Sequence, residues 1–254
     1  MLKQQFVNIL NNFEPITLGE MDAVKLMNRV DTKFAFSAEN LQELLPELSK
    51  YYKVFEINGT RIPSYESLYF DDDNFTFFND HHNGKMNRFK VRFRNYVESN
   101  LYFLEIKHKF KGRTEKERIS VDGFTDFLSQ KHTEFIQLTL QDKMNLRPCL
   151  WNSFHRITLV GREINERLTL DFNIQFKWEN EVQDFENLII AELKQERPDR
   201  SSPFFSVMKK EGIRPYRLSK YCLGSIEIHG NEKLKYNKFK KKILKLKMIN
   251  DVNA

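Results

Sequence analysis

Cations and apolar residues alternate between Arg88 and Arg94. Successive side chains of a β-strand point to opposite faces, so this alternation predicts a strand with one cationic and one apolar face. Like charges two residues apart repel one another along such a face. An anion in front of the face would relieve the repulsion, and an anion with several phosphates suits it best. The cations of this face are Arg88, Lys90, Arg92 and Arg94.

The chain has 254 residues, 40% of them hydrophobic, including 23 Phe and 9 Tyr, so it can bury a sizeable core. We expect one domain over residues 1–230 and a basic tail over 231–254. Neither a signal sequence nor an apolar run of membrane-spanning length is apparent, so the expected location is the cytoplasm.

Positive charge is concentrated in the tail. Residues 233–254 contain eight lysines and one aspartate, a net contribution of +7 to a formal total of +6, which leaves −1 for the rest. A polyanion site in the body must therefore come from local clustering of cations. The tail itself is suited to an acidic membrane surface, a membrane-protein partner or polyphosphate, or it is a solvated, frayed terminus.

Period-two spacing recurs along most of the chain and predicts strands over 64–70, 75–79, 87–97, 101–110, 114–121, 155–161, 166–177 and 187–195. Helical spacing occurs at 20–28, at 37–52 and within 122–144. Short connections between the strands indicate antiparallel pairing. We therefore predict an α+β protein whose antiparallel sheet is strongly curved or closes into a barrel, with helices packed outside.

Several of these strands place Lys, Arg and Glu on one face. Glu-x-Lys occurs twice, at Glu105/Lys107 and Glu192/Lys194. Such faces arise in a sheet whose polar side is simply wet, or in a barrel with a charged interior that holds a ligand. Recurrence over five or six strands favours the barrel. Its bases would neutralise phosphate oxygens while its acids hold a divalent cation.

These motifs together resemble the VTC domain, the polyphosphate polymerase module of vacuolar transporter chaperones, over about residues 18–225. That family belongs to the CYTH-like triphosphate tunnel metalloenzymes, whose fold is an antiparallel β-barrel tunnel. The motifs are Arg29-x-Asp31-x-Lys33-Phe34, Ser67-x-Tyr69-Phe70-Asp71, Lys90-x-Arg92-x-Arg94-x-Tyr96, Glu105-Ile106-Lys107, Gly112-Arg113-x-x-Lys116-x-Arg118, Arg156, Arg167-x-Thr169-x-Asp171, Glu192-Leu193-Lys194 and Ser219-Lys220-Tyr221.

The resemblance implies roles for individual residues. The implied catalytic residues are Lys33, Arg92, Arg94, Lys107, Lys116, Arg156 and Glu192. The implied substrate-binding residues are Arg29, Lys90, Arg118, Arg167, Lys194, Ser219 and Lys220. Glu192 and Glu105 are the implied ligands of Mn²⁺ or Mg²⁺, and Asp171 has an implied supporting role.

The implied activity is transfer of the γ-phosphoryl group of ATP, or of another triphosphate, to a growing polyphosphate chain. With water as acceptor, the same tunnel would be a triphosphatase or polyphosphatase. A non-catalytic polyphosphate-binding module is a further alternative. Specific nucleic-acid binding is disfavoured, because the Phe residues that could stack on bases alternate to the opposite strand face.

Overall fold

The computed structural model describes residues 2–23, 30–111 and 113–251. Its strands, in chain order, are β1 (Pro15–Ile16), β2 (Val30–Ser37), β3 (Tyr52–Phe55), β4 (Ser64–Asp71), β5 (Arg88–Tyr96), β6 (Leu101–Phe110), β7 (Arg113–Val121), β8 (Arg147–Gly161), β9 (Glu166–Trp178), β10 (Glu181–Phe185) and β11 (Leu188–Gln195). Its α-helices are α1 (Leu2–Leu10), α2 (Leu18–Ala23), α3 (Ala38–Leu48), α4 (Thr76–His82), α5 (Gln130–Leu140), α6 (Pro203–Lys210), α7 (Lys220–Lys233) and α8 (Lys240–Asp251).

The strands form one sheet with the hydrogen-bonded order β2-β11-β9-β8-β4-β5-β6-β7, and every pair along this path is antiparallel. The sheet curls into a half-barrel, which confirms the predicted α+β fold. No ladder joins β2 to β7 within the described residues. The concave face of this half-barrel is called the lumen below.

Apolar residues of alternate strand positions face outward and are covered by helices. Helices α1, α3 and α6 cover β2, β9 and β11, where Phe6 meets Phe172 with ring centroids 4.9 Å apart. Helix α3 begins after Ser37, whose Oγ accepts a hydrogen bond from Asn40 N. It lies within the helix predicted over 37–52. Helix α5 packs its Ile136 against the outer side of the other half of the sheet.

The predicted strand over 75–79 is wrong, because residues 76–79 lie in helix α4 and Phe75 is its N-cap. Asp72 accepts hydrogen bonds from the backbone N–H and hydroxyl of Thr76, and Asp71 accepts from the N–H groups of Phe77 and Phe78. These carboxylates satisfy the open N–H groups of the first turn, which stabilises the helix.

A β-bulge in β9 divides the lumen into a charged and an apolar part. Asn173 has φ +47° and lies where the pairing of β8 and β9 shifts register. Asp171 faces the lumen before the bulge, and after it Phe176 does so, against helix α7. Gly224 of α7 packs so closely on Phe176 that a Cβ there would lie 2.3 Å from its ring. Helix α7 therefore fills one end of the lumen.

Helix α8, in the tail, packs on the body through Ile243 and Leu246 and contacts β2 and β11. The division of the chain at residue 230 remains a prediction. Among the described helices, none combines the length and the apolar character needed to cross a membrane.

Candidate active site

Glu105 is a deeply buried carboxylate of the lumen. Its side chain is 1% exposed and accepts hydrogen bonds from Arg92 Nη2 at 2.7 Å and Lys116 Nζ at 3.0 Å. The register places Arg92 opposite Glu105 on the adjacent strands β5 and β6. Burial alone would raise the pKa of Glu105, but the charges of Arg92, Arg94 and Lys116 hold it well below its usual value. Glu105 is therefore ionised and fixes two cations in place.

Asp171 forms a second centre of this kind on β9. Arg156, opposite it on β8, donates from Nε to Oδ1 at 2.6 Å and from Nη2 to Oδ2 at 2.8 Å. Lys220, the first residue of α7, is the second ion-pair partner. Burial opposes ionisation, but the charges of Arg156 and Lys220 lower the pKa of Asp171. The bidentate geometry restrains the guanidinium more than one bond would.

Glu192 on β11 forms the third centre. Lys33 Nζ, from the adjacent strand β2, lies 2.8 Å from Oε2, and Lys194 Nζ lies 2.9 Å from Oε1. These charges, with that of Lys107, overcome the effect of burial and hold the pKa of Glu192 well below its usual value. Lys107 belongs to β6, far from β11 in the strand order. The curl of the sheet thus brings β6 across the lumen from β11.

Lys90 and Lys107 differ from these cations because neither has an ion-pair partner within the described residues. Lys90 Nζ donates to Ser219 Oγ at 2.9 Å. Burial and the charges of neighbouring cations together lower the pKa of Lys90 to about 8. Burial lowers the pKa of Lys107 to about 7, because the charges of Lys33, Arg92 and Lys90 act in the same direction and offset the opposing attraction of Glu192. This part of the lumen has an excess of positive charge.

Arg94 is held by a hydroxyl and by aromatic rings. Its Nε donates to Ser67 Oγ at 3.1 Å, and its guanidinium lies 5.5 Å from the ring centroids of both Tyr65 and Phe154. Burial and the charge of Arg92 lower the pKa of Arg94. The guanidinium keeps its charge because the ordinary pKa of arginine is so high.

The N-terminus of α7 joins two walls of the lumen. Ser219 caps the helix by accepting from Cys222 N and also accepts from Lys90 of β5. Lys220 reaches Asp171 of β9. The positive end of the helix dipole adds to the side-chain charges here.

Arg118 and Arg167 lie opposite Glu105 and Lys194 in the strand register, and Arg29 is outside the described residues. Arg118 on β7 is exposed, with its guanidinium 4.3 Å from the Phe103 ring centroid. Arg167 donates to the carbonyl oxygen of Met21 in α2 at 3.5 Å.

Some lumen residues were not predicted as site residues, although their spacing pointed to them. Tyr65, Ser67 and Tyr69 alternate along β4, and Tyr69 Oη accepts from Arg92 Nη1 at 3.1 Å. Asp171, which shares the face of Thr169 and Arg167, differs from these residues because the resemblance had implied a supporting role for it. The same alternation that identified the cations of β5 thus marks these positions.

The carboxylates fit a cation that arrives with substrate better than a self-sufficient metal site. No group of three His, Cys, Asp or Glu side chains converges on one point in the described residues. Mg²⁺ and Mn²⁺ suit one or two carboxylates completed by water and substrate phosphates. Each oxygen of Glu192 contacts a single flexible lysine. Both oxygens of Glu105 are engaged, so a cation there would have to displace Lys116 or Arg92.

Comparison with solved structures finds distant similarity. A candidate adenylate cyclase from Bacillus halodurans is 12% identical, with a TM-score of 0.47 over 76% of this chain and 94% of that chain. A candidate adenylyl cyclase from Hippeastrum, described as revealing a dominant triphosphatase activity, is 13% identical, with a TM-score of 0.47 over 76% of this chain and 94% of that chain. A conserved hypothetical protein from Pyrococcus furiosus is 13% identical, with a TM-score of 0.44 over 77% of this chain and 99% of that chain.

Sequence comparison gives a clearer assignment. No curated protein matches the chain. The sequence model of the VTC domain matches residues 28–229, which is most of the chain and includes every centre described above. The chain therefore belongs to the VTC domain family.

Proposed function

We propose that this protein is a metal-dependent polyphosphate polymerase that transfers the γ-phosphoryl group of ATP to the end of a polyphosphate chain. Membership of the VTC domain family supports a function related to polyphosphate or triphosphate. The observation that carries the proposal is the cationic excess of the lumen. Lys90 and Lys107 are crowded by like charges, and neither forms a close ion pair in the described residues, although Glu192 attracts Lys107 from a longer distance. A bound polyanion would supply the negative charge that these lysines lack.

The fixed arginines suit phosphoryl transfer. Catalysis of this reaction consists mainly of aligning the reacting groups and stabilising charge on the phosphate oxygens. Arg92 and Arg156 are held in place by Glu105 and Asp171, so little reorganisation is needed when charge develops. A terminal oxygen of the acceptor forms a bond to the γ-phosphorus. The bond from that phosphorus to the bridging oxygen breaks, and ADP leaves with the electron pair.

Glu192 is the residue proposed to hold the divalent cation. When bound, that cation would neutralise oxygens of the β- and γ-phosphates. Lys33 and Lys194, released from Glu192 in that case, would contact phosphate oxygens instead. Glu105 would keep its role of fixing Arg92.

The test is incubation of the purified protein with ATP and Mn²⁺ or Mg²⁺. We expect ADP release and polyphosphate visible on a gel. Glu192→Gln should lower turnover on the order of 10- to 100-fold, whereas Glu181→Gln, at an exposed position on β10, should not. Phosphate release without long products would assign triphosphatase activity to this site. No ADP release with any triphosphate, while polyphosphate still binds, would leave a non-catalytic binding module.

A further inference from the structure

Helix α8 lies beyond the part of the chain matched by the VTC domain and is held firmly on the body. Besides the buried Ile243 and Leu246, Lys242 contributes its carbonyl oxygen, which accepts from Tyr216 Oη at 3.1 Å. Asn250 Oδ1 accepts from the N–H of Asn187 at 3.1 Å. The orientation of the helix is therefore defined, and so is the set of residues that it presents outward.

The outward face of α8 has an apolar stripe at its centre. Leu244 and Met248 are 53% and 70% exposed. They are four residues apart, so they lie above one another on the helix, and at 3.6 residues per turn they point away from Ile243 and Leu246. Large apolar side chains are thus held in water by a helix whose other face is already buried.

Lysines flank this stripe on both sides. At 3.6 residues per turn, Lys241 and Lys245 lie along one flank of the stripe, and Lys240 and Lys247 lie along the other. All four are exposed, although Lys247 also pairs with Glu227 and Lys245 Nζ lies 5.3 Å from the Tyr216 ring centroid. Apart from Asp251 in the last turn, the described helix has no acidic residue.

We propose that the outward face of α8 binds the surface of an anionic membrane. A helix lying in the membrane interface buries an apolar stripe at the boundary between headgroups and acyl chains, while flanking lysines contact anionic headgroups. A soluble polyanion such as polyphosphate would use the lysines but would leave Leu244 and Met248 in water. The central position of the apolar stripe therefore favours lipid. This binding is independent of the catalytic activity of the lumen.

The test is co-sedimentation of the full chain with vesicles of phosphatidylcholine, alone or mixed equally with phosphatidylserine. We expect binding to the mixed vesicles only. Lys241→Gln with Lys245→Gln should lower the partition constant by about fivefold for each lysine. The matched control is Lys209→Gln with Lys210→Gln on α6, which removes the same charge from another exposed helix and should bind as the wild type does.

Leu244→Ser with Met248→Ser distinguishes insertion from simple charge attraction. We expect it to lower binding to mixed vesicles by at least about fivefold. Unchanged binding would overturn the proposal and assign the lysines to soluble polyanions. Absence of wild-type binding, or an equal loss in the α6 control, would also overturn it. Thermal melting of each variant checks folding, and single substitutions at Lys241 and Met248 replace any variant that does not fold.

Discussion

Replacing Lys107 by methionine should stabilise the ligand-free protein and weaken triphosphate binding. Burial and the surrounding cations lower the pKa of Lys107 from 10.5 to about 7, so folding disfavours its charged form. Methionine keeps the length and most of the apolar contacts of the side chain without the charge. The substitution thus removes an unfavourable interaction from the free lumen and an attractive one from the complex.

The expected gain follows from the depressed pKa. Each pKa unit corresponds to ~1.4 kcal/mol, so the shift of Lys107 sets an upper limit of several kcal/mol. We expect a gain of about 2 kcal/mol, because the lysine relaxes toward solvent and its attraction to Glu192 is lost. For a chain of this size that gain raises the melting temperature by about 4–8 °C.

The gain should also depend on pH. Between pH 7 and 10.5 the unfolded wild-type chain keeps a proton on Lys107 that the folded chain releases, so wild-type stability rises with pH across this window. The advantage of the Lys107→Met variant is therefore complete below pH 7 and shrinks as the pH rises toward 10.5.

Thermal melts at pH 6 and pH 9, with calorimetric titration of tripolyphosphate, measure both effects. Lys177→Met, at an exposed position on β9, is the control and should change neither quantity. The reasoning is refuted if Lys107→Met lowers the melting temperature at pH 6, or if tripolyphosphate binds the variant as tightly as the wild type.

Tripolyphosphate affinity should fall between pH 7 and pH 9, because Lys90 and Lys107 lose their protons over this range. Calorimetry should show proton uptake on binding, and an affinity that does not change with pH would contradict this. Asp171→Asn should cost about 3–5 kcal/mol in urea unfolding, since Arg156 and Lys220 lose a buried partner; a loss below 1 kcal/mol would count against a buried pairing role. Gly224→Ala should cost about 1–3 kcal/mol in thermal unfolding, because its Cβ meets the Phe176 ring; an unchanged melting temperature would show that α7 shifts freely.

Strand parity made most of the lumen predictable. A lumen wall requires charges at every second residue, and this pattern is visible in the sequence around Arg92, Glu105 and Glu192. The cross-strand partners were harder to predict from the sequence, because they depend on the register of the strands. Arg92 meets Glu105 only because the β5–β6 hairpin sets them opposite each other.

Other features depend on contacts between distant segments. Phe75 and Phe77 alternate as in a strand, yet Asp71 and Asp72 cap a helix there. The crowding of Lys107 arises only when the curl of the sheet brings β6 opposite Lys33 and Glu192. No local pattern in β6 distinguishes Lys107 from Lys109.

The bulge at Asn173 determines how changes in lumen length can arise. Before it, β9 turns charged residues inward, and after it apolar ones. Substitutions alter what lines the lumen, but a shift of the bulge along β9 moves the point at which the two faces exchange. If β9 paired regularly through Asn173, without the bulge, Gln175 and Lys177 would face inward and Phe176 outward. Among homologues, differences in the length of phosphate chain accommodated should therefore track the position of the bulge in this strand.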